Sequence, residues 1–248
     1  MHIGQDTRHY LNSGYRVVAV EANPDLVEQN KEKFKKYILK GQLRIIHAGI
    51  SSQHDTIPFY KNLRTTEWSS FDKNLGTRHH TPFEIIQVKC IKAEELFRQF
   101  GVPFYLKVDI EGHDYLCINA LDEKRGLPTY VSCEAGNINL LNTLYAKGYK
   151  KFKMINQADN FKPINIQKEN KNWFPYYLQI KNGVQSRVQK FIRCKYPYSS
   201  SGPFGEATKG QWFSYDEIAA NYHAFFGADG LHGLHDKSWF DFHAKMED

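Results

Sequence analysis

Six short apolar runs recur along the first 155 residues, and stretches with helical periodicity separate most of them. A run of five or six residues dominated by Val, Ile, Leu and aromatic side chains is typical of a buried strand in a parallel sheet. The predicted strands are 16–21, 43–48, 85–90, 104–109, 130–134 and 151–155.

Helices are predicted between these runs. Asn23 is a candidate N-cap, and Pro24 occupies the first helical position after it. The apolar stripe of this helix consists of Leu26, Val27, Phe34, Ile38 and Leu39. Further helices are predicted at 93–100, 115–121 and 138–147. This alternation predicts an α/β fold with a mostly parallel sheet, helices on both faces and ligands beyond the carboxyl ends of the strands.

The alternation ends after residue 180. Residues 195–210 are rich in Pro, Ser and Gly, residues 213–226 have a helical pattern, and 239–243 form an aromatic tail. We therefore predict a first domain at 1–182. The remainder, 183–248, is expected to be a C-terminal extension that packs on this domain and covers the substrate site.

Composition excludes several classes of partner. The formal net charge is +6, but the densest basic run, 31–40, has the pattern of a solvated helix face, so no nucleic-acid partner is predicted. Four cysteines without CxxC spacing indicate a reducing compartment, and the cytoplasm is the simplest choice. No leader and no run of 18 apolar residues is present, so neither secretion nor a membrane span is expected.

Eleven histidines raise the question of a metal site. His79 and His80 are adjacent, so their side chains point apart in an extended chain. His232 and His235 have a spacing that could share one face, with Asp236 beside them. Because no third clear ligand accompanies either pair, we interpret these residues as polar surface and predict no metal.

Glu21 ends the strand run 16–21. In a nucleotide-binding sheet, an acid at this place accepts hydrogen bonds from the ribose hydroxyls. From this residue alone, a solvated carboxylate at a strand end is an equal alternative. Gly4 stands where a glycine-rich turn should precede the strand, and no G-x-G-x-x-G motif is present, which disfavours NAD and FAD.

Asp109, Glu111, Gly112 and His113 follow the most apolar strand run, 104–109. One carboxylate is suited to holding a cofactor ammonium or a substrate hydroxyl, and the other to orienting it or acting as a base. Gly112 suits a tight turn, and His113 can take a proton near neutral pH. A strand end with solvated acids is the alternative, and we favour the functional interpretation.

Two further polar positions fall near the same predicted edge. Ser70 lies between Trp68 and Phe71 in the long loop 61–82, where a small hydroxyl beside aromatics could cover an adenine or a methionine tail. An ordinary turn explains the same composition equally well. Glu134 ends the next strand run, and a paired structural carboxylate is its alternative.

The chain resembles the FkbM family of methyltransferases. The resemblance is carried by Val18-Ala19-Val20-Glu21-Ala22-Asn23-Pro24 and by Tyr105-Leu106-Lys107-Val108-Asp109-Ile110-Glu111-Gly112. Residues 201–206 and the tail 239–243 are similar to a common subgroup of this family.

The resemblance implies a class I methyltransferase fold, with a Rossmann-like sheet and 1–182 as the methyltransferase domain. It implies S-adenosylmethionine as the donor, with Gly4 in the cofactor turn and Glu21 as the ribose-binding acid. Asn23 lies beside that acid, and Ser70 matches the loop position near the adenine. The family begins this region with a strand that the sequence lacks. We therefore expect a truncated first strand, an incomplete cofactor site and weak binding of the donor.

The second region of resemblance, 105–112, contains the motif that implies the chemistry of methyl transfer. Asp109, Glu111 and Gly112 match the Asp-x-Glu-Gly motif near the transferred methyl group, so Asp109 is also counted among the cofactor-binding residues. We expect Asp109 or His113 to remove the proton from the acceptor and Glu111 to orient the acceptor or the cofactor.

The predicted function is S-adenosylmethionine-dependent O-methylation of a hydroxyl on a sugar, glycan or polyketide-like metabolite. Two alternatives remain open: a nucleotide-linked oxidoreductase and a non-catalytic carbohydrate-binding remnant of the fold. The sequence does not define the small-molecule or glycan acceptor, and it does not define the oligomeric state.

Overall fold

The fold is taken from a computed structural model, which describes residues 1–157, 161–163, 200–226 and 239–247. The chain divides into two compact units. The first contains Met1–Gly101 and Ile110–Ala120. The second contains Val102–Asp109 and the described part of Leu121–Asp248. The domain boundary predicted after residue 182 lies outside the described residues and stays a prediction.

The described residues form helices and strands in alternation along much of the chain. The helices are α1 (Gln5–Asn12), α2 (Pro24–Lys33), α3 (Lys35–Leu39), α4 (Lys73–Gly76), α5 (Ala93–Phe100), α6 (Asp114–Asn119), α7 (Ile138–Ala146) and α8 (Tyr215–Phe226). The strands are β1 (Val17–Glu21), β2 (Leu43–His47), β3 (Gly49–Ile50), β4 (Thr56–Asn62), β5 (Phe83–Ile91), β6 (Tyr105–Lys107), β7 (Tyr130–Glu134), β8 (Lys151–Asn156), β9 (Lys162–Pro163) and β10 (Phe240–Lys245).

The N-terminal part of the first unit is built on a parallel pair. β1 and β2 pair from Val17 opposite Leu43 to Glu21 opposite His47. Their buried side chains form a core with Leu11 of α1 and Phe34, which follows α2. The predicted start of α2 is confirmed, because the Asn23 side chain accepts a hydrogen bond from the Asp25 amide at 3.0 Å and Pro24 is the first helical residue.

The rest of the first unit's sheet structure departs from the expected parallel arrangement. β5 pairs in parallel with β3 but antiparallel with β4, from Thr56 opposite Lys89 to Asn62 opposite Phe83. The strand predicted at 85–90 is therefore confirmed as part of β5, whereas β4 was not predicted. Polar residues and Pro58 interrupt the apolar pattern of β4, and Pro58 has no amide hydrogen to donate to a partner strand.

The second unit contains a five-stranded sheet in the order β6-β7-β10-β8-β9. β6 and β7 are parallel, and β10 lies between β7 and β8, antiparallel to both. The tail at 239–243, predicted to belong to the C-terminal extension, contributes residues to β10, the central strand of this sheet. The prediction of a mostly parallel sheet holds only in part: the fold is mixed α/β, because the β4–β5 hairpin and β10 add antiparallel pairs.

The two faces of this sheet differ in polarity. Partners in register point to the same face. One face carries Val131, Cys133, Phe152, Met154 and Phe242, all fully buried, and α8 packs on it through Tyr222. The other face carries Tyr105, Lys107, Tyr130, Ser132, Lys153, His243 and Lys245, and is called the polar face below.

Residues 204–212 cover part of the polar face. The Phe204 ring stacks on Tyr105 with centroids 3.9 Å apart, and Trp212 stacks on Tyr130 at 6.2 Å. Glu206 forms an ion pair with Lys245 at 2.9 Å. The segment therefore meets the sheet through aromatic and charged contacts. Among the described residues, no helix is long and apolar enough to cross a membrane.

The position of Phe242 makes the insertion of β10 testable. Phe242→Ala removes a fully buried ring from the middle of the sheet and should lower the free energy of unfolding by about 3–5 kcal/mol. Leu39→Ala is the control, because Leu39 is 79% exposed and its loss should change little. Urea denaturation of both variants measures the difference. Equal midpoints would contradict the central position of β10.

Candidate functional site

Glu21 lies at the carboxyl end of β1 with its side chain largely buried. One carboxylate oxygen accepts hydrogen bonds from the main-chain nitrogens of Met1 at 2.9 Å and His2 at 2.7 Å. The other accepts from the Asn23 amide at 2.9 Å. Three main-chain donors therefore hold the carboxylate at the strand end.

The charge of Glu21 is stabilised by these donors. Burial raises the pKa of the Glu21 carboxyl, but the positive charge at Met1 and the hydrogen bonds from Asn23 and His2 outweigh burial. The net result is a pKa below the ordinary value of a glutamate. Glu21 is therefore a carboxylate at neutral pH and can act only as a hydrogen-bond acceptor.

Gly4 forms the turn that leads into α1. Its backbone is left-handed, with φ at 77°, and a side chain would place a Cβ 2.5 Å from Phe34 Cε2 and 2.6 Å from Asn30 Oδ1. The Asn30 amide donates to the carbonyl of His2 at 2.6 Å, which fixes the residues before the turn. Both the backbone angle and the close approach require glycine here.

Asn62, at the end of β4, organises the long loop that follows it. The side chain is fully buried, and its amide nitrogen donates to the carbonyl of Gly76 at 2.9 Å and to Thr81 Oγ1 at 2.5 Å. Its oxygen accepts from the amides of Arg64 and Thr65 at 3.0 and 2.9 Å. One buried amide thus fixes both ends of the loop.

Ser70 connects this loop to the residues after β6. Its buried hydroxyl donates to the carbonyl of Glu111 at 2.9 Å and accepts from the Asp72 amide at 3.0 Å. The Glu111 carboxylate forms an ion pair with Arg78, whose guanidinium also lies over the Trp68 ring at 5.3 Å. Ser70 and Arg78 therefore hold the main chain and the side chain of Glu111.

The backbone near Glu111 is strained. Glu111 has φ at 48°, and His79 and His80 in the facing loop have φ at 57° and 54°. Residues other than glycine rarely adopt this conformation, and such residues cluster at functional sites. Gly112 follows with φ at 92°, which confirms the tight turn predicted there.

His113 lies at the end of this turn. Its ring meets Phe71 edge-on, with centroids 6.3 Å apart. The Nδ1 atom is buried and has no hydrogen-bond partner among the described residues. An unpaired buried nitrogen of this kind is uncommon in folded proteins.

The first unit therefore brings together six of the seven predicted site residues through a chain of contacts. Glu21 accepts hydrogen bonds from Met1, His2 and Asn23, and the Gly4 amide donates to the carbonyl of Met1. His2 Nε2 lies 2.8 Å from Thr66 Oγ1 in the loop that contains Ser70. Ser70 in turn bonds to Glu111, two residues before His113.

Asp109 belongs to the second unit. Its carboxylate forms an ion pair with Lys107 at 2.7 Å. Lys107 lies opposite Ser132 on β7, Ser132 opposite His243 on β10, and His243 opposite Lys153 on β8. A row of four polar residues thus crosses the polar face from the Asp109 side.

The far end of this row is closely packed. Lys153 is buried, and its ammonium donates to Thr208 Oγ1 at 2.7 Å and lies 4.3 Å from the centre of the Trp212 ring. Burial lowers the pKa of Lys153 to about 8, against the opposing charge of Glu206. Burial, together with the charges of Lys153 and Lys107, lowers the pKa of His243 to about 3, so His243 is neutral.

Several of these residues were not predicted. Asn62 and Arg78 act through partners distant in sequence, and no local motif marks either of them. Lys153 lies in a predicted strand and His243 in the predicted aromatic tail. Only the strand register shows that their side chains lie on the same face of the sheet. Within the described ranges, no group of three or more His, Cys, Asp or Glu side chains could hold a metal ion. His232, His235 and Asp236 lie outside these ranges.

Residues 1–150 match a family model described as the Methyltransferase FkbM domain. This match covers more than half of the chain and includes all seven predicted site residues. The chain therefore belongs to the FkbM methyltransferase family, as the resemblance in sequence predicted. No curated protein and no solved structure matches the chain.

Gly4 offers a test of the turn in the first unit. Gly4→Ala forces a left-handed alanine, which costs about 1–2 kcal/mol, and its methyl group meets Phe34 and Asn30, which adds about 1–3 kcal/mol. Gly14→Ala is the matched control: Gly14 has φ at 89° with nothing within 4 Å of the added carbon. Urea denaturation should show the larger loss for Gly4→Ala. Equal losses would show that the turn is loosely packed.

Proposed function

We propose that this methyltransferase transfers a methyl group from S-adenosylmethionine to a hydroxyl of a sugar, glycan or polyketide-like metabolite. The observation that carries the proposal is the buried, ionised Glu21 at the carboxyl end of β1, within the family match. An acid in this place accepts ribose hydroxyls in nucleotide-binding α/β folds.

The hydrogen bonds that the Glu21 carboxylate accepts are compatible with binding of a ribose. A carboxylate has about four acceptor positions, and main-chain nitrogens use three of them. One acceptor position is therefore left for a ribose hydroxyl. A second can bind when it replaces the hydrogen bond from Met1 or His2. Asn23 and the turn at Gly4 keep the carboxylate in place during this exchange.

The strand pairings support a class I methyltransferase sheet. β1–β2 and β6–β7 are parallel pairs, as in a Rossmann-like sheet. β10 is an antiparallel strand inserted between two strands that run in one direction. This arrangement places the ends of β6, β7 and β8 at one edge of the five-stranded sheet, where α/β folds bind ligands.

Methyl transfer to a hydroxyl requires that the donor and the acceptor are aligned and that the hydroxyl loses one proton. The bound donor supplies a methyl group already activated on a sulfonium, so alignment provides much of the rate. His113 is our candidate to accept the proton of the acceptor hydroxyl, which is supported by a buried Nδ1 without a partner among the described residues. Asp109 is paired with Lys107, and Glu111 with Arg78, so we assign these carboxylates an orienting role and not the role of the base.

The cofactor assignment can be tested by titration. S-adenosylhomocysteine should raise the melting temperature and NAD should not, because the chain lacks the dinucleotide motif. Glu21→Gln should weaken binding by about 1.5–3 kcal/mol, roughly 10- to 150-fold, through loss of charge-assisted hydrogen bonds. Glu28→Gln is the control, because the Glu28 side chain is 72% exposed.

Calorimetry gives the dissociation constants directly. Equal affinity in Glu21→Gln and Glu28→Gln would remove Glu21 from the cofactor site. Stabilisation by NAD alone would favour an oxidoreductase.

The assignment of the base is tested by turnover, measured as transfer of labelled methyl groups to methyl glycosides. His113→Ala should lower kcat by about 10²- to 10⁴-fold with little change in donor affinity. Asp109→Asn should have a smaller effect, because Asp109 orients a reactant. His223→Ala, at an exposed position of α8, is the control. Unchanged turnover in both site variants would show that the roles are wrong.

A further inference from the structure

The turn after β6 is held by the long loop that follows β4. Ser70 donates a hydrogen bond to the main-chain carbonyl of Glu111, and Arg78 forms an ion pair with the Glu111 carboxylate. A Cβ atom on Gly112 would lie 2.5 Å from Leu75 Cδ1, so the leucine packs closely against the main chain of the turn. Three residues of the loop therefore contact two consecutive residues of the turn.

Arg78 is itself fixed by several contacts. Its Nε donates to the carbonyl of Leu75 at 2.9 Å, and its guanidinium lies 5.3 Å from the centre of the Trp68 ring. Its own carbonyl accepts from Thr81 Oγ1 at 2.9 Å, and that hydroxyl accepts from the buried amide of Asn62. Because the guanidinium is planar, fixing its Nε and its face also fixes the direction of its Nη2.

Glu111 needs such a partner because its backbone is strained. Its φ is 48°, a conformation that residues other than glycine rarely adopt. Strained conformations persist only where the surrounding contacts determine them. The exposed fractions of the Arg78 and Glu111 side chains are 28% and 24%, so solvent screens this pair less than it screens an exposed pair. The ion pair is therefore one of the contacts that keep the turn in its observed shape.

The same turn carries His113, the candidate base, two residues after Glu111. The His113 ring meets Phe71 edge-on, and Phe71 follows Ser70 in the loop. A shift of Glu111 relative to the loop would also move the main chain that leads into His113. The loop therefore fixes the orienting carboxylate and the base together.

We propose that Arg78 is a positioning residue for methyl transfer, which acts through Glu111 and fixes the side chains that receive the acceptor hydroxyl. The inference rests on the proposed function, because Glu111 and His113 have their roles in that reaction. Loss of Arg78 should slow the reaction of the bound acceptor. It should leave donor binding intact, because main-chain nitrogens hold the ribose acid, Glu21, independently of Arg78.

Turnover and donor binding are measured on the full chain. Arg78→Gln should lower kcat for transfer of labelled methyl groups to methyl glycosides by about 10²-fold, because a misplacement of about 1 Å can cost this much. Calorimetry should show unchanged affinity for S-adenosylhomocysteine. Arg78→Lys keeps the charge without the planar donor group and should recover part of the lost kcat. Arg64→Gln, exposed in the same loop, is the matched control and should keep full turnover.

A double-mutant cycle with Glu111→Gln separates positioning from a general structural role. If Arg78 acts through Glu111, Arg78→Gln should lower kcat no further once Glu111 has been replaced. Independent losses of kcat in the cycle would overturn the proposal, because Arg78 would then act elsewhere. A loss of affinity for S-adenosylhomocysteine as large as the loss of kcat would also overturn it, because Arg78 would then support the donor site.

Hydrogen exchange followed by mass spectrometry repeats the cycle without turnover. The amides of 110–113 should exchange faster in Arg78→Gln and in Glu111→Gln, and no faster in the double variant. Arg64→Gln should exchange as the parent protein does. Unchanged exchange in Arg78→Gln would overturn the positioning role. Coupled exchange without any methyl transfer by the parent protein would support the hold of Arg78 on Glu111 and overturn the proposed reaction. Coupled effects on exchange and on kcat support both proposals.

Discussion

The insertion of β10 between β7 and β8 is the constraint on which the second unit depends. A strand paired on both sides has no free edge, and its side chains must suit both faces of the sheet. Phe242 supplies the apolar face, and His243, one residue later, supplies the polar face. The strand alternation that buries the phenyl ring therefore also places an imidazole in a row of polar residues.

Asn62 has a comparable role in the first unit, through hydrogen bonds instead of a strand. A buried amide with four partners restricts where residues 63–81 can go. That restriction brings Ser70 and Arg78 to Glu111, although 41 and 33 residues separate them along the chain. The strained φ angles of Glu111, His79 and His80 persist because these contacts determine the geometry of both segments.

Local signals were sufficient for much of the fold. The helix predicted at 93–100 has the observed bounds of α5, because its apolar and charged positions are strictly periodic. The start of α2 follows from Asn23 and Pro24 alone. Pairing could not be predicted in the same way. The partner of β5 and the insertion of β10 depend on contacts distant in sequence, to which neither propensity nor periodicity responds.

The same distinction between local signals and contacts distant in sequence applies to the candidate site. Glu21 and the turn at Gly112 follow from a strand end and a glycine, both of which are local features. The partners of these residues do not follow from local features. Arg78 forms an ion pair with Glu111 from a distant loop, and Lys107 lies in one row with His243 only through two strand pairings.

The two units also differ in the polar groups that they contain. The first unit contains Glu21, whose carboxylate accepts hydrogen bonds from main-chain nitrogens, and His113, whose buried Nδ1 has no partner among the described residues. The second contains unpaired neutral groups, with its lysines already in use. A methyltransferase must bind one invariant donor and one specific acceptor. Residues 1–150, which match the family, contain every predicted cofactor residue.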